Sequence, residues 1–153
     1  MTRREALGAL GSAVWSARFA AAARPVQAGF DWPRWRGPRA DGVVDGGPLP
    51  VNWSHSKNVR WSVELPGWGT SSPAIYGGRL YITSEVEKQE GRSLLTLCFD
   101  CQTGRELWRH DFGLGVDQRT HEKSNLAANT PAVDDEAVYV AFGNADVARY
   151  THD

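Results

Sequence analysis

The chain is poor in the spacing that makes helices. After residue 30 almost no apolar period of three to four residues persists, while 16 glycines and eight prolines punctuate its 153 residues. Both features point to an all-β chain with many turns. Cysteine is nearly absent. Cys98 and Cys101 form a lone Cys-x-x-Cys with no second pair to complete a zinc site, and their strand-and-turn setting lacks the helix start that thioredoxin-like chemistry uses. A structural or incidental role is expected for them, with a disulfide in an oxidising compartment and a metal site left open beside it. His55, His110 and His152 are dispersed and show no metal spacing. Long apolar runs are missing as well. The weakly apolar stretch from Leu7 to Ala23 is interrupted by Arg18, which argues against a transmembrane helix.

What stands at the N-terminus resembles an export signal. Thr2-Arg-Arg-Glu-Ala-Leu7 has the pattern of a twin-arginine leader, Gly8, Gly11, Ser12 and Ser16 dilute the apolar region that follows, and Val26-Gln-Ala28 offers small residues for cleavage. Residues 1 to 28 therefore read as a signal peptide, and the product as periplasmic or otherwise exported. Removing them takes away four arginines and one glutamate, which leaves 13 basic and 17 acidic residues and a formal charge of −4. Nucleic acid is thereby an unexpected partner.

The rest of the chain is repetitive. Ser72-Pro-Ala-Ile-Tyr-Gly-Gly-Arg-Leu-Tyr-Ile82 returns as Thr130-Pro-Ala-Val-Asp-Asp-Glu-Ala-Val-Tyr-Val140, with Pro131 in the place of Pro73. Each copy reads as a hairpin closed by Tyr81 or Tyr139. Between them, Cys98-Phe-Asp-Cys-Gln-Thr-Gly-Arg-Glu-Leu-Trp108 reads as strand, turn, strand. Asp100 and Thr103 are expected to accept hydrogen bonds from the bend, and Gly104 to adopt positive φ. Trp61 precedes Pro73 as Trp108 precedes Pro131, but the second connection is much the longer. The two indoles are expected to close equivalent strands and to lie buried between stacked sheets, and residues 112 to 128 read as an inserted loop.

Asp-x-x-Thr-Gly-x-x-x-Trp followed by Ser-Pro-Ala and a Tyr-closed strand resembles the repeat of the pyrroloquinoline-quinone-type β-propellers. That family includes quinoprotein dehydrogenases and cofactor-free scaffolds resembling the lipoprotein of the outer-membrane β-barrel assembly machinery. Asp31-Trp-Pro-Arg-Trp-Arg-Gly-Pro-Arg-Ala-Asp-Gly42 and His121-Glu-Lys-Ser-Asn-Leu-Ala-Ala-Asn-Thr-Pro131 are similar to segments of its exported bacterial members. The resemblance covers about residues 31 to 153. It implies four-stranded antiparallel blades, of which propellers have roughly 4 to 8. The chain would supply two to three: the outer strands of one, including residues 58 to 65, a nearly full one through Trp108, and the opening strands of another. It reads as an incomplete array, the N-terminal fragment of a longer protein, with residues 29 to 153 as a partial propeller.

Function is less legible, since one propeller hosts unrelated activities. His121, Lys123 and Asn125, with Glu122 and Ser124, form the one local cluster able to grip a carboxylate or sugar, and long loops on rigid scaffolds are where such residues sit. A solvated loop whose Asn and Ser cap turns is the plainer reading, and Asp111 and Asp117 read as ordinary loop carboxylates. A quinone enzyme of this family would hold calcium on carboxylate and amide oxygens beside the quinone, often with adjacent cysteines over the ring. No such set is recognisable here, so a noncatalytic exported module that binds a protein or polymer is expected ahead of the N-terminal part of a dehydrogenase dependent on pyrroloquinoline quinone and calcium or of another propeller enzyme. Replacing Arg3 and Arg4 by Lys is expected to trap the precursor inside the cell, checked by fractionation and N-terminal sequencing; unchanged export would refute the twin-arginine reading.

Overall fold

The computed structural model describes residues 31–44, 49–115 and 120–153; the leader proposed at residues 1 to 28 lies outside them. Among the described residues every regular element is a strand: β1 (Ala74–Tyr76), β2 (Arg79–Lys88), β3 (Gly91–Asp100), β4 (Glu106–Gly115), β5 (Ala132–Val133), β6 (Val138–Ala141) and β7 (Val147–Tyr150). They form two antiparallel sheets, a four-stranded one in the order β1-β2-β3-β4 and a three-stranded one in the order β5-β6-β7. This is the architecture of an incomplete all-β propeller.

Local chemistry fixes the hairpins. Gly77 (φ +58°) and Gly78 (φ +80°) make the two-residue turn between β1 and β2, where both central positions need positive φ to match the strand twist. At the far end of β3, the Asp100 carboxylate accepts from the Gln102 and Thr103 N–H groups at 3.0 and 2.8 Å and from the Thr103 hydroxyl at 2.8 Å. Gly104 follows at φ +73°. The sequence repeat survives as register: Ala74 faces Tyr81 in the first sheet as Ala132 faces Tyr139 in the second.

The first sheet is apolar on both faces because β3 carries two buried stripes. Leu94 and Cys98 point with Ala74 and Tyr81 toward the second sheet, where they meet Val133, Val138, Val140 and Phe142. Leu95, Leu97 and Phe99 point the opposite way, packed with Leu80, Ile82, Val86 and Leu65. So both Cys98 and Phe99 are core residues, one on each face. The second sheet has only one covered face. Tyr139 and Val147 lie exposed on the other, although Tyr139 matches the fully buried Tyr81, because no third sheet packs there among the described residues.

The inner edges of the two sheets are strapped together by the entry segment. Trp32 exchanges both main-chain hydrogen bonds with Ile75 at 2.8 and 2.9 Å, and the carbonyl of the next residue, Pro33, accepts from the Val133 N–H at 2.8 Å. The strap is held in turn by Gly37 (φ +80°), whose Cβ, if it had one, would stand 2.7 Å from the Trp32 ring.

The structure corrects three expectations. Residues 58 to 65 form no strand; no sheet pairs with them among the described residues, and they run as an arm that docks on the first sheet through Trp61 at Cys101 and through Leu65 on its outer face. Trp61 and Trp108 are half-buried, not buried, although they hold equivalent places: the Trp61 indole donates to the Cys101 carbonyl and the Trp108 indole to the His152 carbonyl, each at 2.9 Å, and Cys101 and His152 stand at matching positions after β3 and β7. The inserted loop is shorter than residues 112 to 128, since β4 extends to Gly115. Phe142 is buried to 2 % exposure between the sheets, so Phe142→Ala is expected to cost about 3–5 kcal/mol in urea denaturation, against less than about 0.5 kcal/mol for Val147→Ala on the open face.

Candidate functional site

The loop that carries His121, Lys123 and Asn125 divides in the middle. Its first half faces solvent: His121 and Lys123 share a tight turn in which the Ser124 N–H donates to the His121 carbonyl at 2.9 Å and the Lys123 N–H to His121 Nδ1 at 3.2 Å. Accepting that bond places the proton of a neutral His121 on Nε2. The second half dives into the protein, with Asn125, Leu126 and Ala127 all buried. The structure therefore brings His121 and Lys123 together and turns Asn125 away from them.

Asn125 is a stitch between three segments. Its amide donates to the Trp68 carbonyl at 2.8 Å and its Oδ1 accepts from the Ala127 N–H at 3.1 Å. Glu85 on β2, 2 % exposed, accepts the Leu126 N–H through Oε2 at 2.7 Å and faces Arg92 through Oε1 at 3.4 Å. Thr83, two residues earlier on the same face, reaches the Ala127 and Asn129 carbonyls, each at 3.4 Å. The main chain completes the seam, as the Gly143 N–H donates to the Leu126 carbonyl at 2.8 Å and the Ser72 N–H to the Thr130 hydroxyl at 3.1 Å. A loop cannot be buried without such partners for its peptide groups, and Glu85, Thr83 and Trp68 supply them. The signal for Glu85 is the alternation Tyr81, Thr83, Glu85: a carboxylate two places beyond a buried threonine on the inward face of a strand needs a donor there.

A second polar cluster sits where β4 and the C-terminal residues meet. His152 accepts on its carbonyl from Arg79 at 2.6 Å and from the Trp108 indole at 2.9 Å. Its ring bridges the Tyr81 hydroxyl, 2.8 Å from Nδ1, and the Asp134 carbonyl, 2.9 Å from Nε2. A carbonyl can only accept, so Nε2 carries the proton and a neutral ring receives the Tyr81 O–H on Nδ1. His110 stacks on Tyr150 at 4.4 Å, and Trp108 lies 4.9 Å from His110. Burial pushes the Tyr81 phenol well above its usual range. The site joins the two sheets rather than opening to solvent.

Burial also pushes the Cys98 thiol up to about 12 and raises that of Cys101. Both thiols are free and stay protonated at neutral pH, the form in which sulfur is a poor nucleophile and a poor metal ligand. Asp111 lies on β4, not in a loop; the Ser93 hydroxyl and then Lys88 hold its carboxyl down at about 2. Asp117 lies outside the described residues. No group of three or more His, Cys, Asp or Glu poised for a metal ion occurs among the described residues. Glu85 and Asn125 are a buried carboxylate and a buried amide within one seam. Their oxygens are committed to main-chain N–H groups and Arg92.

The remaining repeat residues are placed by the fold. Pro73 precedes β1 and is exposed, Pro131 precedes β5 and is buried, and Arg149 lies over the Tyr139 ring at 5.9 Å from its centroid. Trp61 donates to the Cys101 carbonyl at 2.9 Å, its ring against Gly104, where a Cβ would come within 2.7 Å. No helix of the described residues is long and apolar enough to cross a membrane. Among known proteins, a family model described as outer membrane protein assembly factor BamB matches residues 5–152. No curated protein and no solved structure matches. Asn125→Ala strands a carbonyl and an N–H in the interior and is expected to cost about 1–3 kcal/mol, while His121→Ala and Lys123→Ala stay within about 0.5 kcal/mol; thermal melts of the three variants check the split.

Proposed function

The chain belongs to the pyrroloquinoline-quinone-like repeat family of the outer membrane protein assembly factor BamB, and from that premise we propose that it is an exported, noncatalytic binding module whose ligand is another protein. The reading is carried by the arm that precedes the first sheet. Leu49, Val51 and Trp53 are 68, 88 and 70 % exposed, and beside them Leu49, Pro50, Asn58, Val59 and Arg60 line an open groove. Scattered exposed apolar residues are ordinary, but three large ones within five residues of chain, one of them an indole, next to a groove that carries Asn58 and Arg60, suit a protein-binding surface. Export is supported by the paired arginines of the leader.

The noncatalytic part rests on how the polar residues are spent. Asn125, Glu85, Thr83, Tyr81 and His152 all hold one part of the fold to another, which turns them to the seam between the sheets instead of toward a substrate. Pyrroloquinoline quinone and calcium form no part of this reading.

A photo-cross-linking amino acid at position 53 of the exported protein is expected to capture a different polypeptide in the cell envelope, and Val51→Asp to abolish the adduct. The same probe at position 121 is expected to capture none. Equal yields at 53 and 121 would refute the arm as the binding surface, and saturable stoichiometric uptake of quinone with calcium, followed by absorbance, would refute the noncatalytic assignment.

A further inference from the structure

The groove beside Trp53 is lined by a loop that the chain braces on itself. Ser54 and Lys57 exchange both main-chain hydrogen bonds at 3.0 Å, and the Asn58 side-chain amide donates to the Asn52 carbonyl at 2.7 Å, which ties the loop shut at its neck. Asn58 takes φ +58° there, a conformation that Asn tolerates better than most residues. Leu49 and Pro50 lead into the loop and Asn58, Val59 and Arg60 lead out of it, so both of its legs line the groove. Walls held in place before a ligand arrives leave less to be ordered on binding.

The groove pairs apolar surface with a charge that the chain does not neutralise. Leu49 and Val59 are 68 and 45 % exposed. Arg60, exposed as well, donates through one nitrogen to the side-chain oxygen of Gln102 on the turn between β3 and β4, a neutral acceptor that fixes the guanidinium and leaves its charge intact. Arg60 enters no ion pair among the described residues. Residues 49 to 63 contain Lys57 and Arg60 but no aspartate or glutamate, a formal charge of +2 within a chain that carries −4 from residue 29 onward. The arm is a basic island in an acidic protein.

We propose that the groove takes an acidic segment of the partner protein, in which an aspartate or glutamate stands next to a bulky apolar residue. The carboxylate docks on Arg60, whose five N–H groups form a planar fork with only one nitrogen engaged by Gln102, so that both carboxylate oxygens can be met at once. The neighbouring apolar side chain covers Leu49 and Val59. A bare anion would leave that apolar surface wet, whereas a purely apolar segment would desolvate Arg60 without supplying a counter-charge. The two requirements together select a mixed segment. This deepens the reading of the arm as a protein-binding surface and rests on it.

The test titrates the full chain with a fluorescein-labelled, end-capped Leu-Asp-Phe-Asp-Leu peptide, followed by anisotropy, and with the same peptide carrying Asn in place of Asp. The acidic peptide is expected to bind about tenfold more tightly than its amide twin. Arg60→Glu is expected to erase that preference with an unchanged far-ultraviolet spectrum, and Arg60→Lys, which keeps the charge but not the fork, to retain only part of it. Equal affinity for the two peptides, binding of neither, or an unaltered preference in Arg60→Glu overturns the proposal. Cross-linking from position 53 separates it from the broader reading: a captured polypeptide without a preference for the acidic peptide sinks the acidic segment alone, while no captured polypeptide sinks the arm as a binding surface.

Discussion

Strands as short as β5, β6 and β7 bury too little of themselves to stand alone, so the second sheet exists through its contact with the first. Val138, Val140 and Phe142 meet Tyr81, Leu94 and Cys98 across that seam, and almost every polar bond of consequence is arranged around its rim. His152 fastens one end, from Tyr81 to Asp134. Glu85 and Asn125 fasten the other through Leu126 and Trp68. The Trp32–Pro33 strap closes the inner edge. Remove the apolar contact and these bonds would have no fixed geometry to serve.

The loop between β4 and β5 shows how a polar side chain becomes structural. A carboxylate shut away from water is tolerable only when donors satisfy it, and Glu85 finds one in the Leu126 N–H and another in Arg92. The bond is reciprocal in its effect. It offsets the cost of burying Glu85, and it lets Leu126 and Ala127 pass beneath the surface without stranding their peptide groups.

Much of this was legible from spacing alone. The recurrence of Pro73 and Pro131, with Tyr81 and Tyr139 at the same offset, specified two hairpins of identical register, and Asp100, Thr103 and Gly104 specified a turn, because short-range hydrogen bonding and positive φ are local properties. What depended on neighbours was not. Trp61 carries the same signature as Trp108 but pairs with no sheet edge among the described residues, so it lies outside a strand, and Tyr139 carries the same signature as Tyr81 yet lies in the open. Proximity along the chain groups Asn125 with His121 and Lys123; the inward turn between Ser124 and Asn125 is set by Glu85, far upstream on β2, which no local pattern connects to the loop.

The strap has a consequence for the order in which the fold can be completed. Trp32 pairs with Ile75 and Pro33 with Val133, partners that a ribosome makes long after the strap itself. Hairpins such as β1–β2 can close as soon as they emerge, but the segment synthesised first can take its final place only when β5 has arrived. Contacts of such separation are slow to form because the intervening chain must already be organised. The strap thus locks only once Val133 has been made, and a chain halted anywhere short of it would carry its own latch unfastened.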